Sequence, residues 1–296
     1  MVSLSASDMS RETTMGEPAN APSSTPVGVD PTRASIARVY DAALGGKDNY
    51  AIDRQVLDAI RTAAPEVRDM AWGNRNFLIR VVRFLANQAG ITQFLDCGSG
   101  LPTAENTHQV AQRIDERIRV VYVDNDPVVL AHGNALLAEN EHTGIADADI
   151  YRAKDVYEHD LVRAHLDFDK PIGLLHVSTM HHYLGDDYAD VMRAYVDPLP
   201  SGSFVAVSHF YDPEIPELSA TARAMERSML DSPMGSGVFR TADQILEMVP
   251  GLDVIPHAAG SPPEVVPCDS WWPDGPALRP LNDAQRLVGC VVARKP

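Results

Sequence analysis

A chain of 296 residues, 45% of them apolar, can bury a large core without staples, and its three cysteines, Cys97, Cys268 and Cys290, are too few and too scattered for a disulfide framework or a zinc site. Twenty-five Lys and Arg against 41 Asp and Glu leave a net charge of −16, which repels a phosphate backbone and argues against nucleic acid and anionic membranes as partners. No apolar stretch approaches the roughly twenty residues of a membrane span, so the expected setting is the reducing cytoplasm.

Residues 1–30 are rich in Ser, Thr, Pro and Ala and carry neither a basic start nor an apolar signal core, which predicts a disordered tail. From residue 31 to 90 the pattern is helical, and three helices are expected before any strand. Ile36, Val39, Tyr40 and Ala43 share a face over Thr32–Leu44, and Val56, Leu57 and Ile60 do so over Ile52–Ala63. Phe77, Leu78, Val81, Val82 and Leu85 do so over Asn74–Ala89, which Gly90 ends. Between the first two helices lies "GGKDNY". It is not a phosphate loop, because that motif needs glycine where Asp41 stands and a hydroxyl where Asp48 stands. Its dense polar groups instead suggest a loop shaped around a ligand.

Past residue 91 the texture changes to short apolar runs alternating with helical segments. The expected strands are the apolar runs within "TQFLDCGSG" and "IRVVYVDND", then Ala148–Arg152, Ile172–Ser178, Ser203–His209, Leu252–Pro256 and Leu287–Arg294. Continuous apolar strands between helices predict an α/β fold with a doubly wound, mostly parallel seven-stranded sheet, its last strand inserted antiparallel. An insertion is expected over residues 214–235. Ligands of such sheets bind beyond the carboxyl ends of the central strands, so the residues there are the candidate site.

The first strand ends in "DCGSG", whose glycines let the backbone bend and approach a ligand. Thr103 stands where a dinucleotide fingerprint needs glycine, which weakens the case for nicotinamide or flavin. The second strand ends in "VDND", with Asp124 placed to accept from both hydroxyls of a ribose. "AKDVYE" follows the expected third strand, "HVSTMHHYLGDD" covers the fourth and its end, and "DPLPSGS" leads into the fifth. In this order the five segments resemble a class I S-adenosylmethionine-dependent methyltransferase with a Rossmann-like fold. The stretches "RVYDAALGGKDNYAIDR", "QFLDCGSGLPTAENTHQVAQ" and "RVVYVDNDPVVLAH" are similar to the actinobacterial S-adenosyl methyltransferase family long carried as a domain of unknown function, from about Ala34 to the "VARKP" end.

That resemblance implies S-adenosyl-L-methionine as cofactor over residues 91–296. It implies Asp96, Gly98, Ser99 and Gly100 at the methionine end, with Thr103 beside them, Asp124 at the ribose, Asn125 at the adenine edge, and Asp155 with Val156 at the adenine; Ser178 completes the set. It also implies that the helical segment 31–90 caps the site, with Tyr40, Gly45, Gly46, Lys47, Asn49 and Tyr50 facing an acceptor. Carboxylates suit a cationic sulfonium ligand. His181, His182 and His209, near the ends of the fourth and fifth strands, are candidates for a general base if the acceptor needs one, although a wall role is the commoner fate of such histidines. Adjacent histidines on an extended segment point apart, so no metal is expected. "STMH" replaces the Asn/Asp-Pro-Pro-aromatic segment of enzymes that methylate nucleic-acid amino groups. A small-molecule acceptor is therefore expected, with a non-catalytic sensor of S-adenosylmethionine or a nucleoside as the rival. Nothing in the sequence sets an oligomeric state.

Overall fold

The structure is a computed structural model that describes residues 29–102, 105–137, 140–276 and 279–296. Thr103 and residues 1–28 of the expected tail lie outside the described residues. Helix α1 (Ile36–Leu44) ends where Gly45 takes a left-handed conformation at φ 84° and its N–H returns to the α1 carbonyls. Helix α2 (Ala51–Ala63) follows, and α3 (Val67–Asn87) begins seven residues before its apolar stripe predicts and runs about 30 Å.

The sheet then builds as β1 (Gln93–Cys97), α4 (Thr107–Gln112), β2 (Arg119–Asp124), α5 (Pro127–Leu137), β3 (Thr143–Asp147), α6 (Ala153–Glu158), α7 (Asp160–His165) and β4 (Gly173–Val177). It continues through α8 (Tyr188–Val196), β5 (Phe204–Phe210), α9 (Pro216–Leu230), α10 (Ala242–Leu246), β6 (Asp253–Val254), β7 (Val266–Pro267), α11 (Asp283–Arg286) and β8 (Val288–Arg294). The strand order is β3-β2-β1-β4-β5-β8-β6, with β7 added on β8. The strands from β1 to β5 are parallel, and β8 runs antiparallel between β5 and β6, as expected. The two-residue β7 makes an eighth strand that the sequence reading omits.

Because side chains alternate across a strand, each strand feeds two cores. Leu95, Cys97, Val121, Val123, Val205 and Val207 face one side with Met192 and Tyr195 of α8. Phe94, Val120, Leu175 and Ala206 face the other, with the apolar faces of α1, α2, α3 and α9. On that side α3 is pinned at its far end. Phe77 meets Trp271 edge to face at 5.6 Å, and Arg80 donates to the carbonyls of Trp271 and Cys268 at 2.9 and 2.6 Å. Trp271 is thus a buried core residue.

One expected strand is misplaced. The third strand is Thr143–Asp147, and Ala148–Arg152 is the loop beyond it, held by the Asp149 carboxylate accepting from Tyr151 N at 2.9 Å. Among the described residues no helix is long and apolar enough to cross a membrane.

Candidate active site

Strand order reverses between β1 and β4, and there a cavity of about 410 Å³ opens at the carboxyl ends of the strands. Its first wall is made of strand ends and the loops beyond them: Asp96 of β1 with Gly98–Gly100 after it, Asp124 at the end of β2 with Asn125 and Asp126 after it, Asp149–Tyr151 after β3, and Ser178 with Thr179 after β4. The second is helical: Tyr40 and Ala43 of α1, Leu57 and Ile60 of α2, Met70, Asn74, Arg75 and Leu78 of α3, and Met225 and Met229 of α9. Met234, His181, His182 and Phe210 complete it.

The loop wall is shaped by backbone. At Gly98, φ is +76° and a Cβ would lie 2.3 Å from Thr179 Cγ2, so only glycine lets the β1 and β4 loops approach this closely. Ser178 is left-handed at φ 64°, unusual for a serine, and is held there by its N–H donating to Ser208 Oγ at 2.9 Å. Asp124 accepts from Gly100 N at 2.9 Å and from Asp126 N at 3.0 Å, one bond on each carboxylate oxygen, which leaves lone pairs for a ligand. Burial, reinforced by neighbouring Asp126, raises its pKa against the pull of those bonds. Asp96 is fully buried with Thr107 Oγ1 donating to it at 2.7 Å, and desolvation pushes its pKa up to about 6. The Ser99 hydroxyl oxygen is buried with no partner among the described residues. These groups fit an amino-acid and ribose ligand: carboxylates for its ammonium and hydroxyls, and an unused hydroxyl beside them.

The two walls are tied together. Ser35 Oγ donates to Asp126, joining the start of α1 to the β2 loop. Asn74 donates to Tyr40 Oη at 2.9 Å and accepts from Ser208 Oγ at 2.5 Å, linking α1, α3 and β5. The buried Asp53 carboxylate accepts from Ser35 N at 3.0 Å, Arg38 Nε at 2.8 Å and Tyr50 N at 2.8 Å, fixing α1 against α2.

Several expected positions are corrected. Asp155 sits on α6, half exposed and ion-paired with Arg152 at 2.6 Å, and Val156 is buried in the core; neither lines the cavity, whose third-strand contribution is Asp149–Tyr151. Of the "GGKDNY" group, Tyr40 of α1 lines the cavity but Gly45, Gly46, Lys47, Asn49 and Tyr50 do not. That turn closes on Asp41, whose carboxylate accepts from Asp48 N at 3.0 Å and Asn49 Nδ2 at 2.8 Å while its carbonyl accepts from Gly46 N at 2.8 Å. The donors of Gly46, Asp48 and Asn49 are thus satisfied within the turn, and Lys47 is exposed. His181 and His182 lie in a 3₁₀ turn rather than an extended segment, and their rings are 4.4 Å apart.

The histidines divide. His209 Nδ1 meets the Phe210 carbonyl at 2.7 Å and its Nε2 meets the Arg240 guanidinium at 2.7 Å. A carbonyl only accepts and an arginine only donates, so the ring is fixed neutral with both nitrogens used, and burial beside Arg240 pushes its pKa to about 3. His209 is outside the cavity lining, and neither of its ring nitrogens is free. His182 Nδ1 pairs with Ser236 Oγ at 3.0 Å. His181 lines the cavity, 1% exposed and stacked on Phe210 at 3.6 Å, and its Nδ1 has no partner among the described residues. Burial first, then His182, His209 and Arg240, holds its pKa well below the usual histidine value.

Asp126, Asp149, Asn74 and Arg75 are lining residues the sequence reading missed. Asp126 is the last residue of the "VDND" segment, and a third strand ending at Asp147 puts Asp149 at the strand end. Asn74 and Arg75 carry no signal, being polar positions on an apolar helix.

A family model described as S-adenosyl methyltransferase matches residues 22–296. A crystal structure from Thermobifida fusca YX, provisionally assigned as a methyltransferase, is 38% identical over 91% of this chain and 98% of that chain, with a TM-score of 0.84. A DUF574 family protein from Streptomyces avermitilis MA-4680 is 33% identical over 89% of this chain and 98% of that one, with a TM-score of 0.80. A search among curated proteins finds no match. With its strand order, its strand-end cavity and a family match over nearly its whole length, this chain belongs to the S-adenosyl methyltransferase family and is an S-adenosylmethionine-dependent methyltransferase.

Proposed function

We propose that the chain transfers the methyl group of S-adenosylmethionine to a small molecule seated against the helical wall. The observation that carries this reading is a cavity at the strand ends whose two walls differ in kind, carboxylates and glycines on one side and helix faces, apolar but for Asn74 and Arg75, on the other. In the proposed arrangement Asp124 accepts from the ribose hydroxyls, Asn125 meets the adenine edge, and Asp149 with Ile150 replaces Asp155 and Val156 as the adenine surround. Asp96 and Ser99 hold the amino-acid end, Gly98 and Gly100 let the chain approach it, and Ser178 borders it.

The cofactor supplies a methyl group already activated on a sulfonium. The residues of this chain therefore need to hold an acceptor in line and exclude water. The helices of segment 31–90 perform that exclusion in this reading, through Tyr40, Leu57 and Ile60. His209 provides no base, and His182 and His181 act as neutral wall groups. A net charge of −16 favours a small molecule over nucleic acid, and three buried free cysteines suit a reducing cytoplasm. Family membership favours turnover over a sensor role. Incubation with labelled S-adenosylmethionine and a metabolite extract tests this: label appearing in a small-molecule fraction is expected, and label only in protein or nucleic acid would contradict it.

A further inference from the structure

The helical wall says more about the acceptor than its size. The cavity's carboxylates lie on the strand-end wall, while the helical face toward α9 offers three methionines, Met225, Met229 and Met234. Thioethers adapt their shape and favour contact with aromatic rings. Beside them His181 and Phe210 lie nearly parallel, 3.6 Å apart and 18° from coplanar, and Phe210 continues the stack onto Phe239 at 5.1 Å and 19°. Flat rings edged by flexible sulfur atoms suit a planar guest. One polar feature on this face is unspent: the buried Nδ1 of His181, without a partner among the described residues. A buried nitrogen left without a hydrogen bond is costly. With the ring proton on Nε2, Nδ1 is an acceptor, and a ligand donor would satisfy it. Behind the ring, Arg240 donates to the Met180 and Tyr183 carbonyls at 3.2 and 3.1 Å and to His209, placing a buried cation that keeps the histidine cluster neutral and therefore able to accept.

Resting on the two-wall reading above, we propose that the acceptor is an uncharged aromatic molecule carrying a hydroxyl, which packs on the methionine face and donates a hydrogen bond to His181. On the α9 side a carboxylate would find thioethers and rings, the lining cation Arg75 being carried by α3, and an ammonium group would find no carboxylate among the described residues of this face.

The test is calorimetry on the full chain saturated with S-adenosylhomocysteine, using 1-naphthol, naphthalene, 1-naphthoate and 1-naphthylmethylammonium as probes. 1-Naphthol is expected to bind most tightly, with naphthalene on the order of tenfold weaker for want of the hydroxyl. His181→Phe keeps the ring and removes the nitrogens, so it should bring 1-naphthol down to the affinity of naphthalene and leave naphthalene unchanged. Met234→Glu, at a partly buried position, should weaken both neutral probes at least tenfold while S-adenosylhomocysteine still binds. Tighter binding of either charged probe, or 1-naphthol affinity untouched in both variants, would overturn the acceptor class and leave the cofactor wall standing. Failure of S-adenosylhomocysteine itself to bind the unaltered chain would instead overturn the two-wall reading and this inference with it.

Discussion

The two walls of the cavity are built by different means. The strand-end wall is made of backbone and short polar side chains, each placed by the sheet: Asp96, Gly98 and Asp124 stand where β1 and β2 stop, and strand order alone brings them together. The helical wall is made of Leu57, Ile60, Met225 and Met229, which come from elements more than 150 residues apart and differ in no way from core residues until the fold turns them toward a void. A site fixed by topology tolerates little change at a few positions. A site fixed by packing spreads its effects over many, so the same class of substitution should act differently on the two walls.

The largest expected effect is at Asp124. Asp124→Ala removes hydrogen bonds to a charged group at roughly 1.5–3 kcal/mol, an affinity loss for S-adenosylhomocysteine of about ten- to a hundredfold by calorimetry. Met229→Ala on the opposite wall should leave that affinity within about threefold, although deleting a buried side chain costs about 2–5 kcal/mol of stability in denaturant unfolding. Equal losses of affinity at both positions would erase the distinction between the walls.

Next is the turn between α1 and α2. A Cβ on Gly46 would stand 1.9 Å from Asp41 Oδ1, so Gly46→Ala must push aside the carboxylate on which the turn closes. About 1–3 kcal/mol of stability should be lost with cofactor affinity unchanged, because the turn touches neither wall. A large drop in affinity without loss of stability would return "GGKDNY" to the site.

A finer effect is in pH. Asp96 titrates near 6 in the folded chain, above the ordinary carboxylate value, so the folded state holds the extra proton between about pH 4 and 6. The free protein should therefore gain stability from this group at low pH and lose that gain as pH rises through 6. Ammonium binding needs the ionised form, so affinity for S-adenosylhomocysteine should rise over the same window, and Asp96→Asn should flatten both trends. A rise of equal size in the Asn variant would place the titrating group elsewhere. The smallest effect is at exposed Lys47, where Lys47→Ala should change stability by less than about 0.5 kcal/mol and affinity not at all.

What could be read from the sequence follows the same division. Strand ends marked by Asp and Gly were legible because polar residues interrupting apolar runs have few other reasons to be there. β3 was not, because "TGIAD" has small residues where Ile150 and Tyr151, four residues on, have the stronger β character. The error points to Asp155 for the third strand's share of the cavity lining, where Asp149 stands. The "GGKDNY" turn misled for the opposite reason: Asp41, one helical turn upstream, consumes its donors, and a pairing across seven residues leaves no pattern in the chain. Arg240 and His209 find each other across 31 residues, so one of the three histidines considered as a base has its acceptor nitrogen spent by a partner that leaves no pattern in the chain.

The central claim is that the carboxyl ends of β1 and β2 hold S-adenosylmethionine, and a direct titration of the purified chain with S-adenosylhomocysteine and with NAD tests it most simply. One S-adenosylhomocysteine is expected to bind per chain, with hydrogen exchange slowed in α1 and α2 on binding while residues 45–49 of the turn are unaffected. Tighter binding of NAD, or no binding of S-adenosylhomocysteine by the folded chain, would contradict it.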